Sequence, residues 1–361
     1  MPTVDLTING REITVEAGTT ILQAARLAGF QIPTLCYLSG LSPTGACRVC
    51  VVEVEGARTL VPSCAFPVAD GMVVRTHTAR VRAARTAIVQ LLLANHPQEC
   101  LTCVRNGDCE LQTLTRELNI REIPYQGERR LAPVDSSSPA IERDPEKCIL
   151  CGRCVRVCQE IQNVGAISFT KRGFQSEVAP AYDRQLDITS CVNCGQCIIQ
   201  CPTGALREHS SVRKVWEWLQ DPNMHVVAQT APAVRVGIGE MFGAAPGGIY
   251  TGQLVTALSN IGFDRVFDTN FAADLTIVEE ATELVRRVKN DEPLPMITSC
   301  SPGWIKYCEH YYPDLIPHLS TCRSPHEMLG ALIKSYYAEQ YGIFPGNIAV
   351  VSIMPCTAKK F

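Results

Sequence analysis

The chain has 361 residues, 46% of them apolar, enough for two or more domains with cores of their own. Thirty-three Lys and Arg against 36 Asp and Glu leave a net charge of −3, which excludes the basic balance that would favour nucleic acid or an anionic membrane. No stretch has the apolar length of a membrane span, and MPTVDLTINGREITVEAG lacks the basic start, apolar middle or twin arginine of an export signal, so a cytoplasmic location is expected.

Residues 1–78 open with VDLTI, Asn9-Gly10 and REITVEA, two alternating runs around a turn dipeptide that predict a hairpin. Thr19 to Ala28 fits a short amphipathic helix whose apolar residues are Ile21, Leu22, Ala25 and Leu27. Hairpin, helix and Cys-bearing loop follow the order of a β-grasp ferredoxin. Cys36, Cys47, Cys50 and Cys64, two of them at C-x2-C spacing, suit a 2Fe–2S cluster; the first gap is longer than in the plant type. Four buried structural cysteines are the plainer alternative.

Residues 79–94 predict a helix with Ile88, Leu91, Leu92 and Val81 inward. His96, Cys100, Cys103 and Cys109 follow as H-x3-C-x2-C-x5-C, and residues 79–118 form the second predicted domain. One imidazole and three thiolates can hold a 4Fe–4S cluster or a tetrahedral zinc. His77 has no Cys group beside it and is expected at the surface. Residues 119–140, rich in Pro, Ser and charge, predict a linker.

Residues 141–210 carry a duplication: Cys148, Cys151, Cys154, Cys158, then Cys191, Cys194, Cys197, Cys201 followed by Pro202. Each run is C-x2-C-x2-C-x3-C, the two-cluster bacterial ferredoxin pattern, in which the fourth Cys of a run binds the other cluster. Fifteen of the nineteen cysteines lie between Cys36 and Cys201 in such groups, which favours metal in a reducing compartment over a disulfide framework. The Arg, Lys and Asp residues around Cys148 and Cys191 are expected on the solvated surface.

From residue 213 the pattern changes. SVRKVWEWLQ, TGQLVTALSNIG, DLTIVEEATELVRRVK and SPHEMLGALIKSYYAEQYG predict helices. HVVAQTAPAVR, DRVFDTN, PMITSC and NIAVVSIMPC predict strands. The alternation implies an α/β domain over 213–361, with Cys300 and Cys356 at the carboxyl ends of strands, where such folds place functional groups. No Gly-x-Gly-x-x-Gly follows a strand, so nucleotide binding is assigned to partner subunits.

TSCSPGW (298–304) and MPCTAKK (354–360) resemble the first two signature motifs of iron-only hydrogenases. The module order resembles the long members of that family, and the whole is similar to catalytic subunits of the NADP-reducing or electron-bifurcating type. The first three modules also resemble the iron–sulfur subunit of respiratory NADH dehydrogenase and of some formate dehydrogenases. The resemblance implies α+β iron–sulfur modules followed by an incomplete α/β hydrogenase domain. It implies one 2Fe–2S cluster, three accessory 4Fe–4S clusters, one of them His-ligated, and an H-cluster, a cubane joined to a di-iron centre, in the full-length protein. The ferredoxin-type cluster nearer that cubane would use Cys158, Cys191, Cys194 and Cys197. Cys356 would be a cubane ligand, Lys359 would bond a cyanide, and Ala231, Pro232 and Met354 would wall the di-iron pocket. Glu280, Glu283 and Ser320 would form a proton path, for which a buried carboxylate with a raised pKa is suited. The partners implied are flavin-bearing NAD(P)H-binding and small iron–sulfur subunits and ferredoxin, with H2 and protons as substrates.

Two features depart from the family pattern. Two adjacent cysteines often precede the Pro, one passing protons and one binding the cubane; here Cys300 is followed by Ser301. Serine is a poor iron ligand beside thiolate, so either Cys300 takes the ligand role or the cubane is held unusually, and Cys300 stands as a candidate for both roles. The chain also stops at Phe361, within the second motif, before the third motif that carries two more cubane cysteines. A fragment of a longer protein is therefore expected, without a complete H-cluster. Cys308 and Cys322 are expected to be ordinary buried or half-buried residues. The rival readings are a non-catalytic electron-transfer subunit and a hydrogen sensor.

Overall fold

A computed structural model describes residues 2–361. The chain forms two compact units, Met1–Cys191 with Gly195–Glu208, and Val192–Cys194 with His209–Phe361.

The first unit begins with β1 (Thr3–Ile8) and β2 (Arg11–Glu16), antiparallel with Ile8 opposite Arg11. Asn9 and Gly10 both take positive φ, +50° and +82°, as a two-residue hairpin turn of this twist requires. α1 (Ile21–Leu27) starts in a capping box between Thr20 and Gln23. It buries Ile21, Leu22, Ala24 and Ala25, while Leu27 faces solvent, on the side opposite the stripe. β3 (Val51–Val54), β4 (Val61–Pro62) and β5 (Met72–Arg75) complete a sheet of order β2-β1-β5-β3-β4. Leu6, Ile8, Ile21, Leu22, Val52 and Val74 pack into one core with Cys50 and Cys64. Each large side chain there contributes about 1.5–3 kcal/mol of burial, so the cysteine loop hangs on a firm base.

α2 (Ala79–Ala94), capped by Thr78, buries Val81, Arg85, Val89 and Leu93, a strict i, i+4 stripe. The predicted inward face is therefore rotated: Leu91 is exposed, and Ile88 and Leu92 are only partly covered. The stripe packs on Leu35, Val49 and, from α3 (Glu110–Glu117), Leu111 and Leu114. Residues 119–140 hold no helix or strand, yet Arg130 and Ser138 within them are buried.

β6 (Ile141–Arg143) pairs with β9 (Leu206–Glu208), closing the ends of the duplicated segment. Between them lie α4 (Arg153–Arg156), the hairpin of β7 (Ser168–Thr170) and β8 (Glu177–Ala179), and α5 (Gln196–Ile199). The duplication is visible in the backbone. Leu150 and Asn193 share φ near +55°, and Gly152 and Gly195 share φ near +70°, at matching places in the two runs. A Cβ on Gly152 would lie 3.0 Å from the Phe169 ring.

The second unit has a three-stranded parallel sheet of order β11-β10-β12. α6 (Val212–Gln220) leads to β10 (His225–Thr230). The strand predicted through APAVR stops at Thr230, because Pro232 opens α7 (Pro232–Gly237), where a missing N–H costs nothing. α8 (Thr251–Ile261), β11 (Arg265–Asp268) and the long α9 (Asn270–Lys289) follow. PMITSC is not a buried strand. Pro295 has no N–H to donate, only Ile297 bridges to Leu319, and the chain turns at Ser301 into α10 (Pro302–Tyr311). α11 (Pro325–Leu332) continues helically to Gln340 before β12 (Ile348–Ile353). Val226 and Ala228 pack with Leu254 and Leu258, Val227 with Ala272, Leu329 and Ile333. Both faces of β10 are covered, as its unbroken apolar run requires. No helix among the described residues is long and apolar enough to cross a membrane.

Candidate metal centres and signature loops

Among the described residues no cysteine is joined in a disulfide. Cys36, Cys50 and Cys64 are buried and Cys47 half-buried, in one loop cluster over the first sheet. Hydrogen bonds from the Cys47 and Cys64 thiols pull Cys36 far down, and the Cys64 thiol pulls Cys50 to about 6. The same bonds push Cys47 and Cys64 up. Four sulfurs this close, in a dry loop, are a donor set that fits a 2Fe–2S cluster. Arg85 lies beneath them, 4% exposed, its Nη2 donating to the Val51 carbonyl at 2.8 Å and its Nε without a partner. Burial lowers its pKa to about 10, against the pull of Cys50.

His96 follows α2 and is 9% exposed. Its Nδ1 lies 2.9 Å from the Pro97 carbonyl, which can only accept, so Nδ1 carries the proton. Nε2 is then a bare lone pair, buried without a partner, and burial lowers the pKa so that the ring stays neutral. His96, Cys100, Cys103 and Cys109 line one cavity, with Lys147 and Gly204 at its wall. A Cβ on Gly204 would lie 2.9 Å from Cys103 Sγ. The donor chemistry and the fixed tautomer fit a cluster corner held by imidazole.

A second cavity is lined by Cys148, Cys151, Cys154 and Cys201, with Ile149, Val178 and Leu206 around them. Its fourth thiol comes from the second run, the exchange expected of a two-cluster ferredoxin. Burial raises Cys148, pushes Cys151 up to about 12 and Cys154 higher still. Thiolates in this pocket require a cationic partner, which cluster iron supplies.

The charged residues here are not the solvated surface that was expected. Asp144, Arg153 and Arg156 are 5–7% exposed. Arg153 grips Glu110 through both terminal nitrogens, at 2.5 and 2.9 Å. Arg130, from the linker, donates to the Cys148 carbonyl at 2.8 Å, and Arg105 to that of Cys201 at 3.5 Å. Arg153 and Arg156 stand inside the Cys148–Cys158 run, but nothing in the sequence sets them apart from surface arginines.

In the second unit, Met354 and Cys356 follow the carboxyl end of β12. Lys359 Nζ, on the turn after Cys356, donates to the Cys300 carbonyl at 2.8 Å, which joins the two signature loops. Thr357 Oγ1 ties the turn to the Asn193 carbonyl at 2.7 Å. Ala231 N–H donates to the Ile353 carbonyl at 3.0 Å, which places Ala231 and Pro232 beside the same strand end. Cys300 and Cys356 are exposed. They offer two thiols where a cubane takes four. Cys308 is buried with its thiol on the Tyr312 carbonyl, and Cys322 is half-buried against Met328, so neither is aimed at the loops' shared end.

Glu283 and Ser320 meet: Ser320 Oγ donates to Glu283 Oε2 at 3.1 Å. Thr321 adds its N–H and hydroxyl at 3.0 Å each, and Arg287 donates to Oε1 at 2.6 and 3.0 Å. Burial alone would raise the Glu283 pKa, but Arg287, Thr321 and Ser320 together hold it below the usual carboxylate value. This corrects the expectation of a raised pKa, because the partner arginine was not read from the sequence. Glu280 is half-buried one turn earlier, and its charge helps to raise the Cys322 thiol. Ser299 Oγ donates to the Cys322 carbonyl at 2.5 Å, linking this constellation to the Cys300 loop.

Residues 224–361 match the family described as iron only hydrogenase large subunit, C-terminal domain. The chain is 48% identical, over all its length, to the NADP-reducing hydrogenase subunit HndD of Solidesulfovibrio fructosivorans. The chain is a homologue of iron-only hydrogenase subunits. Iron hydrogenase 1 of Clostridium pasteurianum is 39% identical over 98% of the chain. The chain spans 64% and 62% of the lengths of these two relatives. The upstream modules match a 2Fe-2S iron-sulfur cluster binding domain over 1–79 and a 4Fe-4S dicluster domain over 147–205. Residues 85–124 match the NADH-ubiquinone oxidoreductase-G iron-sulfur binding region, which favours iron–sulfur over zinc at the His96 set. A solved structure of an NAD+-reducing [NiFe]-hydrogenase in the H2-reduced state shares the fold of 58% of the chain, at TM-score 0.55 and 30% identity, covering 88% of that chain.

Proposed function

We propose that this chain is the cluster-bearing part of a hydrogenase catalytic subunit that interconverts H2 with two protons and two electrons. The observation that carries the reading is the Lys359 bond to the Cys300 carbonyl, which gathers both signature loops at the carboxyl end of a parallel sheet. Upstream, three donor sets fit accessory clusters. Cys36, Cys47, Cys50 and Cys64 would hold a 2Fe–2S cluster, and His96, Cys100, Cys103 and Cys109 a 4Fe–4S cluster. Cys148, Cys151, Cys154 and Cys201 would hold a second 4Fe–4S cluster. Cys158, Cys191, Cys194 and Cys197 would hold the third by the same exchange rule.

The two exposed thiols, Cys300 and Cys356, would supply part of the ligand set that an H-cluster requires. Within the reading, Cys356 is a cubane ligand, and Cys300 is either a second ligand or a proton-passing thiol. Ala231, Pro232, Met354 and Lys359 shape the pocket. Glu283, Ser320 and Glu280 carry protons, supported by the Ser320–Glu283 hydrogen bond. Electrons are exchanged with a flavin-bearing NAD(P)H-binding subunit, a small iron–sulfur subunit or ferredoxin, in the cytoplasm. The NADP-reducing activity named for HndD supports this direction of partnering.

The test is infrared spectroscopy of the anaerobically purified native protein, beside H2-dependent NAD(P) reduction in its complex. Carbonyl and cyanide bands with turnover support the reading. Iron–sulfur signals without those bands establish the second one, a non-catalytic electron-transfer subunit.

A further inference from the structure

Arg156 ends α4 inside the first ferredoxin-type run and is 7% exposed. Its Nη2 donates to the Cys36 carbonyl at 2.5 Å and to the Cys151 carbonyl at 3.4 Å. Nη1 donates to the Ser42 carbonyl at 2.5 Å, and Nε to the Gly152 carbonyl at 3.2 Å. One rigid cation thus spans a ligand residue of the 2Fe–2S set and a ligand residue of the Cys148–Cys201 cavity. Every acceptor is a neutral carbonyl. Glu160, the acid nearest in the chain, accepts from the Ser42 N–H at 2.9 Å instead. A guanidinium buried on carbonyls alone keeps its full charge uncompensated, a costly state unless anions lie close by. Four-thiolate clusters are net anionic and become more so on reduction.

We propose that Arg156 is the electrostatic and hydrogen-bonded link between the 2Fe–2S cluster and the adjacent ferredoxin-type 4Fe–4S cluster, favouring the reduced state of both and carrying the transfer route between their ligand loops. The proposal rests on the cluster reading above. One electron leaves the reduced 2Fe–2S cluster and enters the oxidised 4Fe–4S cluster; no bond forms or breaks and no proton moves. Arg156 is a positioning residue, since it touches ligand carbonyls and not the clusters' atoms. Two neighbours serve as internal comparisons. Arg130 reaches only the Cys148 carbonyl among the ligand residues, and Arg85 only the Val51 carbonyl beside Cys50.

The experiment is an EPR-monitored redox titration of the full chain, purified anaerobically with its clusters, with iron and sulfide counted in every sample. Arg156→Met is expected to lower both midpoint potentials, each by about a tenfold shift of the reduction equilibrium, or about 59 mV for one electron. That is the scale of one unit charge roughly 10 Å away in a partly screened interior. Arg130→Met should move only the 4Fe–4S signal. Arg156→Lys should keep both potentials and lose the fast phase of 2Fe–2S reoxidation in freeze-quench samples. Unchanged potentials in Arg156→Met at full iron content overturn the proposal and leave Arg156 a structural clamp. If Arg156→Met loses iron, the pair Arg156→Gln and Arg156→Lys decides: lower potentials in Gln than in Lys support the link, equal potentials overturn it. A wild-type protein without a 2Fe–2S signal overturns the cluster reading, and this proposal with it.

Discussion

Arg287 of the second unit and three arginines of the first are buried in different settings, while Arg153 of the first has, like Arg287, a carboxylate partner, Glu110. In the second, Arg287 is 4% exposed and holds Glu283 through Oε1, so its countercharge is built from the chain. In the first, Arg85, Arg130 and Arg156 are as deeply buried and donate to backbone carbonyls. Their acceptors include carbonyls on or beside cysteines of the proposed ligand sets, so on that reading the missing countercharge would be the cluster itself. On that reading the first unit has three arginines whose charge iron–sulfur clusters would offset. The second has a core that closes on its own side chains. The thiols follow the same division: most ligand candidates of the first unit are covered, while Cys300 and Cys356 are exposed.

The largest effect should come from removing iron. Chelation under reducing conditions leaves several buried cations uncompensated and removes the ligand bonds that fold the cysteine loops. Amide hydrogen exchange should then accelerate strongly in β1, β5 and α2 while β10 and β12 keep their protection. Equal loss of protection in both units would break the comparison.

Breaking the second unit's pair is the converse. Glu283→Gln strands Arg287 in the interior and should cost roughly 3 kcal/mol, near the lower end for a broken buried pair. The pH dependence has a definite sign. The folded pKa of Glu283 lies below its ordinary value, so its stabilisation is fully present above about pH 4.3 and is lost as pH falls through the lower folded value. Denaturation of wild type and variant should differ most near neutrality and converge in acid. A gap that widens in acid would mean that the carboxylate is not held by Arg287.

A charge change at one ligand sharpens the first unit's side. His96→Cys replaces a neutral donor with a thiolate and makes that cluster more negative, so its midpoint potential should fall. The EPR signal of that cluster reports the shift directly, and a potential that rises or stays put would show that His96 is not a ligand.

What the sequence made legible follows from how local each feature is. The ligand spacings lie within a few residues of one another, and the Asn9-Gly10 turn and the Pro232 helix start are written in dipeptides. The parallel sheet was legible from apolar runs, because β10 is covered on both faces. The buried arginines were not legible: a charged residue reads as surface until its partner is known, and in the first unit the partners include Cys148, 18 positions from Arg130, and Cys36, 120 positions from Arg156. The same blindness hid Arg287 and reversed the expected shift at Glu283. On α2 the expected inward set holds for Val81, which is buried, and in part for Ile88 and Leu92, which pack against the core, but Leu91 is exposed and Arg85 lies inside instead. PMITSC failed because its apolar content signals burial, while only Ile297 makes a ladder bridge and Pro295 has no N–H to give one.

The smallest predicted effect tests whether the first unit's cavities are shaped to the ångström. Gly204 does not need a left-handed backbone, so strain in φ is not its reason for being glycine. Space is: an added Cβ would sit 2.9 Å from Cys103 Sγ and 3.4 Å from the Lys147 side chain. A sulfur fixed to iron cannot step aside as a flexible side chain can. Gly204→Ala should therefore cost about 1–3 kcal/mol, the range for overpacking, in the iron-loaded protein and much less after chelation, when Cys103 is free to rotate. Thermal unfolding of both forms measures the difference. An equal cost with and without iron would show that the crowding is against the polypeptide and not against a held sulfur.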